Sequence, residues 1–308
     1  MYLGIDIGGT STKYSITDDF TSGFQSHAFP SCPELGKDYL LDKIYDIISS
    51  QSNIESVGIG IPGIISNDGI IRTLPNLKGW DNFNFKEYFL DKYKLPVYID
   101  NDANIAALAE LLEGAGKDLN NFIYVTLGTG IGGSIIINKQ IYRGDSGSAG
   151  EIGHVIIDRN AKVSNELPKY RTGIVEEFAG RNQIISMYKD LLNQSKSSVL
   201  ASLLQFDVKD ISDLADSGDA EALIVIINTA NYISLAIISA MNLLDIHNVI
   251  IGGGISKSVI LIETIRNTIS ERALPQIADN FVIENAKFQS ETGIIGALIA
   301  AKKLSTLY

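Results

Sequence analysis

The chain has 308 residues, 45% hydrophobic and 20% charged, a globular composition long enough for two cores. Its 25 basic residues against 36 acidic ones leave a net charge of −11, and such an acidic surface repels nucleic-acid backbones. Cys32 is the single cysteine, which excludes an intramolecular disulfide and a multi-cysteine metal cage.

Residues 2–16 read as strand, glycine turn, strand, with no basic-then-apolar leader before them. Gly8 and Gly9 permit a tight hairpin and close approach of a ligand to the backbone. Thr10, Ser11 and Thr12 add hydroxyl donors and Lys13 a cation, so the turn suits phosphate oxygens, although an ordinary Gly-Gly hairpin fits the same residues. The glycine spacing is neither that of the dinucleotide fingerprint nor that of the P-loop. Asp6 shifts the balance, because an unpaired carboxylate inside an apolar strand is costly and a magnesium–phosphate partner would relieve it. An amphipathic helix is expected over 38–50, and a strand over 57–65 that ends in the turn Pro62-Gly63. The loop 74–80 carries Trp80, which reads as a packing anchor.

A short helix over 84–93 leads to a strand, Leu95–Ile99, and then to Asp100-Asn101-Asp102-Ala103-Asn104 at the start of an alanine-rich helix. These acids and amides either cap the helix or form a ligand site, since open α/β sheets bind ligands at the carboxyl ends of their strands. Gly114–Lys117 reads as a hinge or domain boundary. Residues 121–138 then repeat the N-terminal design: strand, the glycine- and threonine-rich hairpin Gly128-Thr129-Gly130-Ile131-Gly132-Gly133, strand. Two such hairpins, one per half, suit a nucleotide held between two lobes.

Ala149-Gly150-Glu151-Ile152-Gly153-His154 puts a carboxylate and an imidazole three residues apart among glycines, which favours a site over a structural histidine. Residues 158–172 read as a polar surface excursion. Glu176 and Glu177 open a helix, with one of them pointing into a cleft or both solvated. Helices are expected over 183–194, 198–204 and 219–244. Ile224–Leu244 comes nearest to a membrane span, but Asn228, Thr229, Asn231, Ser234, Ser239 and Asn242 interrupt it, so it reads as a buried helix of a soluble cytoplasmic protein. A strand over 248–251 ends in Gly252-Gly253-Gly254, where flat ligand atoms can lie on bare backbone. Gly293–Ala297 opens a last helix.

The set Asp6-Ile-Gly-Gly-Thr10, Gly60-Ile-Pro-Gly63, Asn101–Asn104, Leu127–Gly133, Ala149–His154 and Gly252–Gly254 resembles, in order and spacing, the ROK family of sugar kinases and repressors. The resemblance implies an α/β, actin-like and hexokinase-like ATPase fold of two ribonuclease-H-like lobes with a central cleft. It implies a small lobe of residues 1–116, completed by a final helix of about 294–308, and a large lobe of 117–293, with ATP in the cleft. Asp102 matches the catalytic base; Asn101, Glu151, His154 and Glu176 match sugar contacts, and Gly63 and Asn76 weaker ones. Gly8, Gly9, Thr10 and Lys13 resemble the first phosphate loop, with Asp6 near magnesium; Thr129 and Gly130 resemble the second loop, and Gly253 and Gly254 the adenosine wall.

The activity so implied is ATP- and Mg²⁺-dependent phosphorylation of a hexose, at the 6-hydroxyl of glucose or of an N-acetylhexosamine such as N-acetylmannosamine, by a homodimer with no nucleic-acid or membrane partner. The rival expectations are a sugar-responsive transcriptional regulator, which needs a DNA-binding segment ahead of residue 2, and a non-catalytic sugar sensor. One departure stands out. Many family members bind a structural zinc through three cysteines and the histidine of Gly-His, and residues 155–176 contain no cysteine. No structural zinc is therefore expected, and packing of Val155, Ile156, Ile157 and Leu167 is expected to hold the loop instead.

Overall fold

The structure is a computed structural model, which describes residues 1–18, 24–74, 77, 79–162, 168–194, 206–288 and 291–305. The chain forms two compact units: Met1–Asp118 with Lys139–Ala149 and Ser290–Tyr308, and Leu119–Asn138 with Gly150–Gln289. The sequence boundaries left 139–149 with the second lobe; the structure gives that segment to the first unit.

The first unit carries β1 (Tyr2–Ile7), β2 (Ser11–Thr17), β3 (His27–Pro30), β4 (Ser56–Ile61), the small ribbon β5 (Ile64–Ile65) and β6 (Ile71–Thr73), and β7 (Val97–Asn101). The main sheet has the order β3-β2-β1-β4-β7, with β2 antiparallel to both neighbours and β1, β4 and β7 parallel. Every residue of β4 is buried, as a central parallel strand covered on both faces requires. One face packs α1 (Gly36–Ser49) and α2 (Phe85–Tyr93) into a core with Leu3, Ile5 and Ile7. Trp80 is buried in that core and stacks on Phe85 with centroids 5.1 Å apart, a packing anchor as the sequence indicates. The other face is covered by the C-terminal helix, Thr292–Ser305, which also packs on α3 (Asp102–Glu113). There the approach is so close that a Cβ on Gly58 would overlap the Ala297 carbonyl, and Ser56 Oγ donates to the Ala301 carbonyl at 2.6 Å.

The second unit repeats the plan with β8 (Phe122–Leu127), β9 (Ile131–Ile137), β11 (Asn248–Gly253) and β12 (Val282–Asn285); the intervening β10 (Gln140–Tyr142) belongs to the first unit. Its order is β9-β8-β11-β12, an antiparallel hairpin followed by two parallel strands, as in β2-β1-β4-β7. Around it lie α4 (Glu176–Ala179), α5 (Arg181–Gln194), α6 (Val208–Asp216), α7 (Ala220–Leu244), α8 (Val259–Arg272) and α9 (Pro275–Ala278). The helix expected over 198–204 lies outside the described residues. Among the described residues α7 is the one helix long and apolar enough to cross a membrane by length and composition. Its Val225, Ile226, Ala230, Ile233 and Ile237 are buried with Val249 and Ile251 of β11 and Leu261 and Ile265 of α8, so it serves as the unit's core helix. Asp219 caps its start, accepting from the Ala222 N–H at 3.0 Å.

Candidate active site

In the first unit the end of β7 and the start of α3 give three adjacent polar residues three different tasks. Asn101 is the helix cap: its Oδ1 accepts from the Ala103 N–H at 2.8 Å, while its Nδ2 donates to the Gly63 carbonyl at 2.9 Å. Gly63 holds a left-handed φ of 121°, and a Cβ there would strike the Thr73 carbonyl, so the residue fits only as glycine. Asp100 is fully buried and pairs with Arg143, which also donates to the Tyr98 hydroxyl. Asp100 further accepts from the Asn101 N–H at 2.9 Å, Asn104 Nδ2 at 3.0 Å and the Tyr98 hydroxyl at 3.3 Å. Burial raises its carboxyl above the usual range, and Arg143 opposes the rise.

Asp102 is exposed at the first turn of α3, with Oδ1 2.9 Å from the Ala103 nitrogen. Although the side chain reaches solvent, desolvation by the protein packed around it raises its carboxyl above the ordinary value, against the pull of the Ala103 and Asp102 amides. An accessible carboxylate with elevated proton affinity is equipped for general-base work.

The first hairpin turn is braced from behind. The Gly8 N–H donates to the Ser11 carbonyl at 3.0 Å, and Ser31 Oγ donates to the Gly8 carbonyl at 2.6 Å. Thr12 is buried with its hydroxyl 2.9 Å from Ser31 Oγ, and Ser11 Oγ donates to the Phe29 carbonyl at 3.4 Å. This corrects the expectation that three hydroxyls face a ligand: Ser11 and Thr12 support the turn, and Thr10 is exposed on it. Asp6 stands opposite Lys13 in the ladder. Burial first, then the nearby Asp102, push its carboxyl up to about 6, while Lys13 pulls it down. Gly293, in the first turn of the C-terminal helix, lies so close that a Cβ would sit 2.6 Å from Asp6 Oδ2. A carboxylate with so few opposing charges, beside a turn of backbone amides, fits a divalent cation brought in with phosphate.

In the second unit the Gly128 N–H closes its own turn on the Gly130 carbonyl at 3.0 Å, and the Gly254 N–H donates to the Leu127 carbonyl at 2.9 Å. A pocket of about 200 Å³ opens beside Gly128, Thr129 and Gly130, bounded by Gly254, Ile255 and the starts of α5 and α6. Glycine amides at one end and Ile184, Val208 and Ile255 along the walls suit a flat heterocycle with a phosphate tail. Arg181 and Asp207 line it too, paired at 2.9 Å, along with Lys209.

Glu151 precedes and His154 ends the 3-10 turn Ile152–His154, and the His154 ring stacks on Tyr170 at 6.1 Å. Glu176 starts α4; its Oε2 accepts from the Ile131 N–H at 2.8 Å and its Oε1 from Arg171 Nη2 at 2.6 Å. Glu177 also pairs with Arg171, at 2.7 Å, so both glutamates are engaged by protein partners. The Ile157 N–H donates to the Gly173 carbonyl at 2.9 Å and the Val175 N–H to the Val155 carbonyl at 3.0 Å, a short ladder that ties the two ends of the loop. Val155 and Ile157 pack against the core, but Ile156 is 67% exposed, which corrects its expected packing role: the ladder turns it outward. Asn76 and Leu167 lie outside the described residues. Among the described residues no three His, Cys, Asp or Glu side chains are grouped to hold a metal ion.

The ROK family model matches residues 2–304. The chain belongs to the ROK family. It is 34% identical over 311 residues to a glucokinase of Halalkalibacterium halodurans, covering 96% of this chain and 93% of that one. It is 31% identical over 290 residues to a xylose repressor of Bacillus spizizenii, covering 91% of this chain and 71% of the repressor. The crystal structure of a ROK family glucokinase from Streptomyces griseus in complex with glucose and AMPPNP matches with a TM-score of 0.80 at 25% identity, over 98% of this chain and 99% of that one. This ROK chain thus has the actin-like, hexokinase-like ATPase fold. Sequence reasoning had missed Tyr98, Arg143, Arg171, Arg181, Asp207 and Lys209. A signal existed for Arg143 alone, since a buried Asp100 calls for a cation.

Proposed function

We propose that this ROK protein is an ATP-dependent hexose kinase. The observation that carries the reading is Asp102: a carboxylate exposed at a helix start, with a raised proton affinity, bonded to the amides of its own helix turn and not to the Arg143 and Gly63 partners that hold Asp100 and Asn101. Similarity to a glucokinase over nearly the whole chain supports it. Mg²⁺·ATP, when bound, supplies the γ-phosphoryl group. Asp102 accepts the proton of the sugar hydroxyl, the 6-hydroxyl in our reading, as that oxygen attacks. Asn101, fixed by Gly63 and Ala103, presents its remaining amide hydrogen to a neighbouring hydroxyl. Glu151, His154 and Glu176, with Gly63 and Asn76, form the sugar contacts, because carboxylate and imidazole groups can each bind adjacent hydroxyls.

The amides of Gly8, Gly9 and Thr10, with Lys13, and those of Thr129 and Gly130 hold phosphate oxygens where charge develops. Asp6 would hold Mg²⁺, and Gly253 and Gly254 would face the adenosine. Glucose or an N-acetylhexosamine such as N-acetylmannosamine is the acceptor, and the enzyme acts as a cytoplasmic homodimer.

The test is ADP release over a panel of hexoses, for wild type and Asp102→Asn, with sugar binding measured by calorimetry. The wild type should turn over at least one hexose, and the variant should lose about 10²–10⁴-fold in kcat while still binding sugar. Near-normal turnover by the variant removes Asp102 as the base. Sugar binding without turnover in the wild type transfers the reading to a sensor or regulator, which a DNA gel-shift assay then separates.

A further inference from the structure

Glu176 connects two parts of the second unit that a kinase reading treats as separate, the sugar-contacting loop and the phosphate-binding turn. Its Oε2 accepts from the Ile131 N–H at 2.8 Å, directly after Gly128-Thr129-Gly130. A Cβ at Gly130 would run into the same carboxylate, so turn and glutamate are in contact on two sides. Its Oε1 is taken by Arg171 Nη2 at 2.6 Å, and the same guanidinium reaches Glu177 Oε1 with Nε at 2.9 Å and Nη2 at 2.7 Å. The Glu176 and Arg171 side chains are about a quarter exposed or less, so this pair is shielded more than a surface ion pair.

Two physical demands explain the arrangement. A glycine turn is conformationally loose, and amides that bind phosphate must be held pointing at it before it arrives. The carboxylate seated under the Ile131 N–H supplies that hold. It also brings a negative charge close to where polyphosphate would lie, and that charge repels phosphate unless a cation offsets it. Arg171 is that cation, and because Glu177 shares it, it offsets part of the charge.

We propose that Glu176 is the positioning residue of the turn Gly128–Gly130 and that Arg171, shared with Glu177, fixes it and offsets part of its charge, so that nucleotide affinity depends on a pair in the loop assigned to sugar. The inference rests on the kinase reading for the identity of the turn's ligand.

The experiment is calorimetric binding of Mg·AMPPNP, without sugar, to the full chain carrying Glu176→Ala, Glu176→Gln, Arg171→Met or Arg171→Lys. Backbone exchange of the Ile131 amide is followed in parallel. Glu176→Ala and Arg171→Met should weaken nucleotide binding about tenfold or more, and Glu176→Ala should speed exchange at Ile131. Glu176→Gln keeps an oxygen for the Ile131 N–H and should stay within about threefold of wild type, and Arg171→Lys should recover part of the loss. Variants that bind nucleotide like wild type, with Ile131 exchange unchanged and only sugar affinity altered, overturn the proposal and leave the kinase reading intact. A wild type that binds no nucleotide overturns both. If Glu176→Ala fails to fold, Glu176→Gln together with Arg171→Met decides: equal affinity in Arg171→Met and wild type sinks the proposal.

Discussion

Asp6 is held in the folded chain with a proton affinity well above that of an ordinary carboxyl, about 6 against 3.8. The native state therefore binds the proton more tightly than the unfolded chain does. The destabilisation from its charge is complete above about pH 6, shrinks as the pH falls through that value and vanishes below 3.8. Two pKa units correspond to about 3 kcal/mol. Asp6→Asn should raise the melting temperature by a few degrees at pH 7.5 and leave it unchanged at pH 4, while Mg²⁺-dependent nucleotide binding at pH 7.5 weakens. Equal melting shifts at the two pH values would show that another group carries the effect. The acid in an apolar strand was legible from the sequence, because burial of a charge is a local contradiction. The division of labour among Asp100, Asn101 and Asp102 was not. Cap and site compete for the same residue types, and only the direction each side chain takes at the strand end separates them.

The segment Lys139–Ala149 belongs to the first unit, where Arg143 meets Asp100 across more than forty residues of sequence. The buried Asp100 called for some cation, but no local pattern says which one, so neither the segment's place nor the identity of the arginine was legible. Arg171 escaped for a related reason: a polar stretch with scattered charges looks the same whether it is solvated or clamps two glutamates. Removing Arg143 strands a buried carboxylate, and Arg143→Met should cost about 3 kcal/mol. Adding Asp100→Asn to that variant should recover part of the loss, because the charge goes with its partner. Urea unfolding followed by Trp80 fluorescence reads this unit directly, since the chain's single tryptophan lies in its core. A single variant within about 0.5 kcal/mol of wild type would show that the pair does not hold the segment.

Across the whole chain, the repeated hairpin was the feature that carried furthest from sequence to structure: each unit is built on an antiparallel pair continued by two parallel strands. The loop between Val155 and Val175 is tied by backbone hydrogen bonds and by Arg171. Treatment with a strong chelator should accordingly leave the melting temperature where it was, and elemental analysis should find no stoichiometric zinc. A fall of more than about 5 °C together with one zinc per chain would overturn that. The C-terminal helix bears on how the molecule is made. Ribosomes release residues 292–305 after the second unit's strands and helices are already outside, yet Gly58 of β4 and Ser56 beside it need that helix for their packing. The first unit therefore cannot cover this face of its sheet until residues 292–305 have been made, after all the strands and helices of the second unit. Nascent chains stalled before residue 292 should show a protease-resistant second unit and a digestible first one, and chains stalled well beyond 305 should protect both.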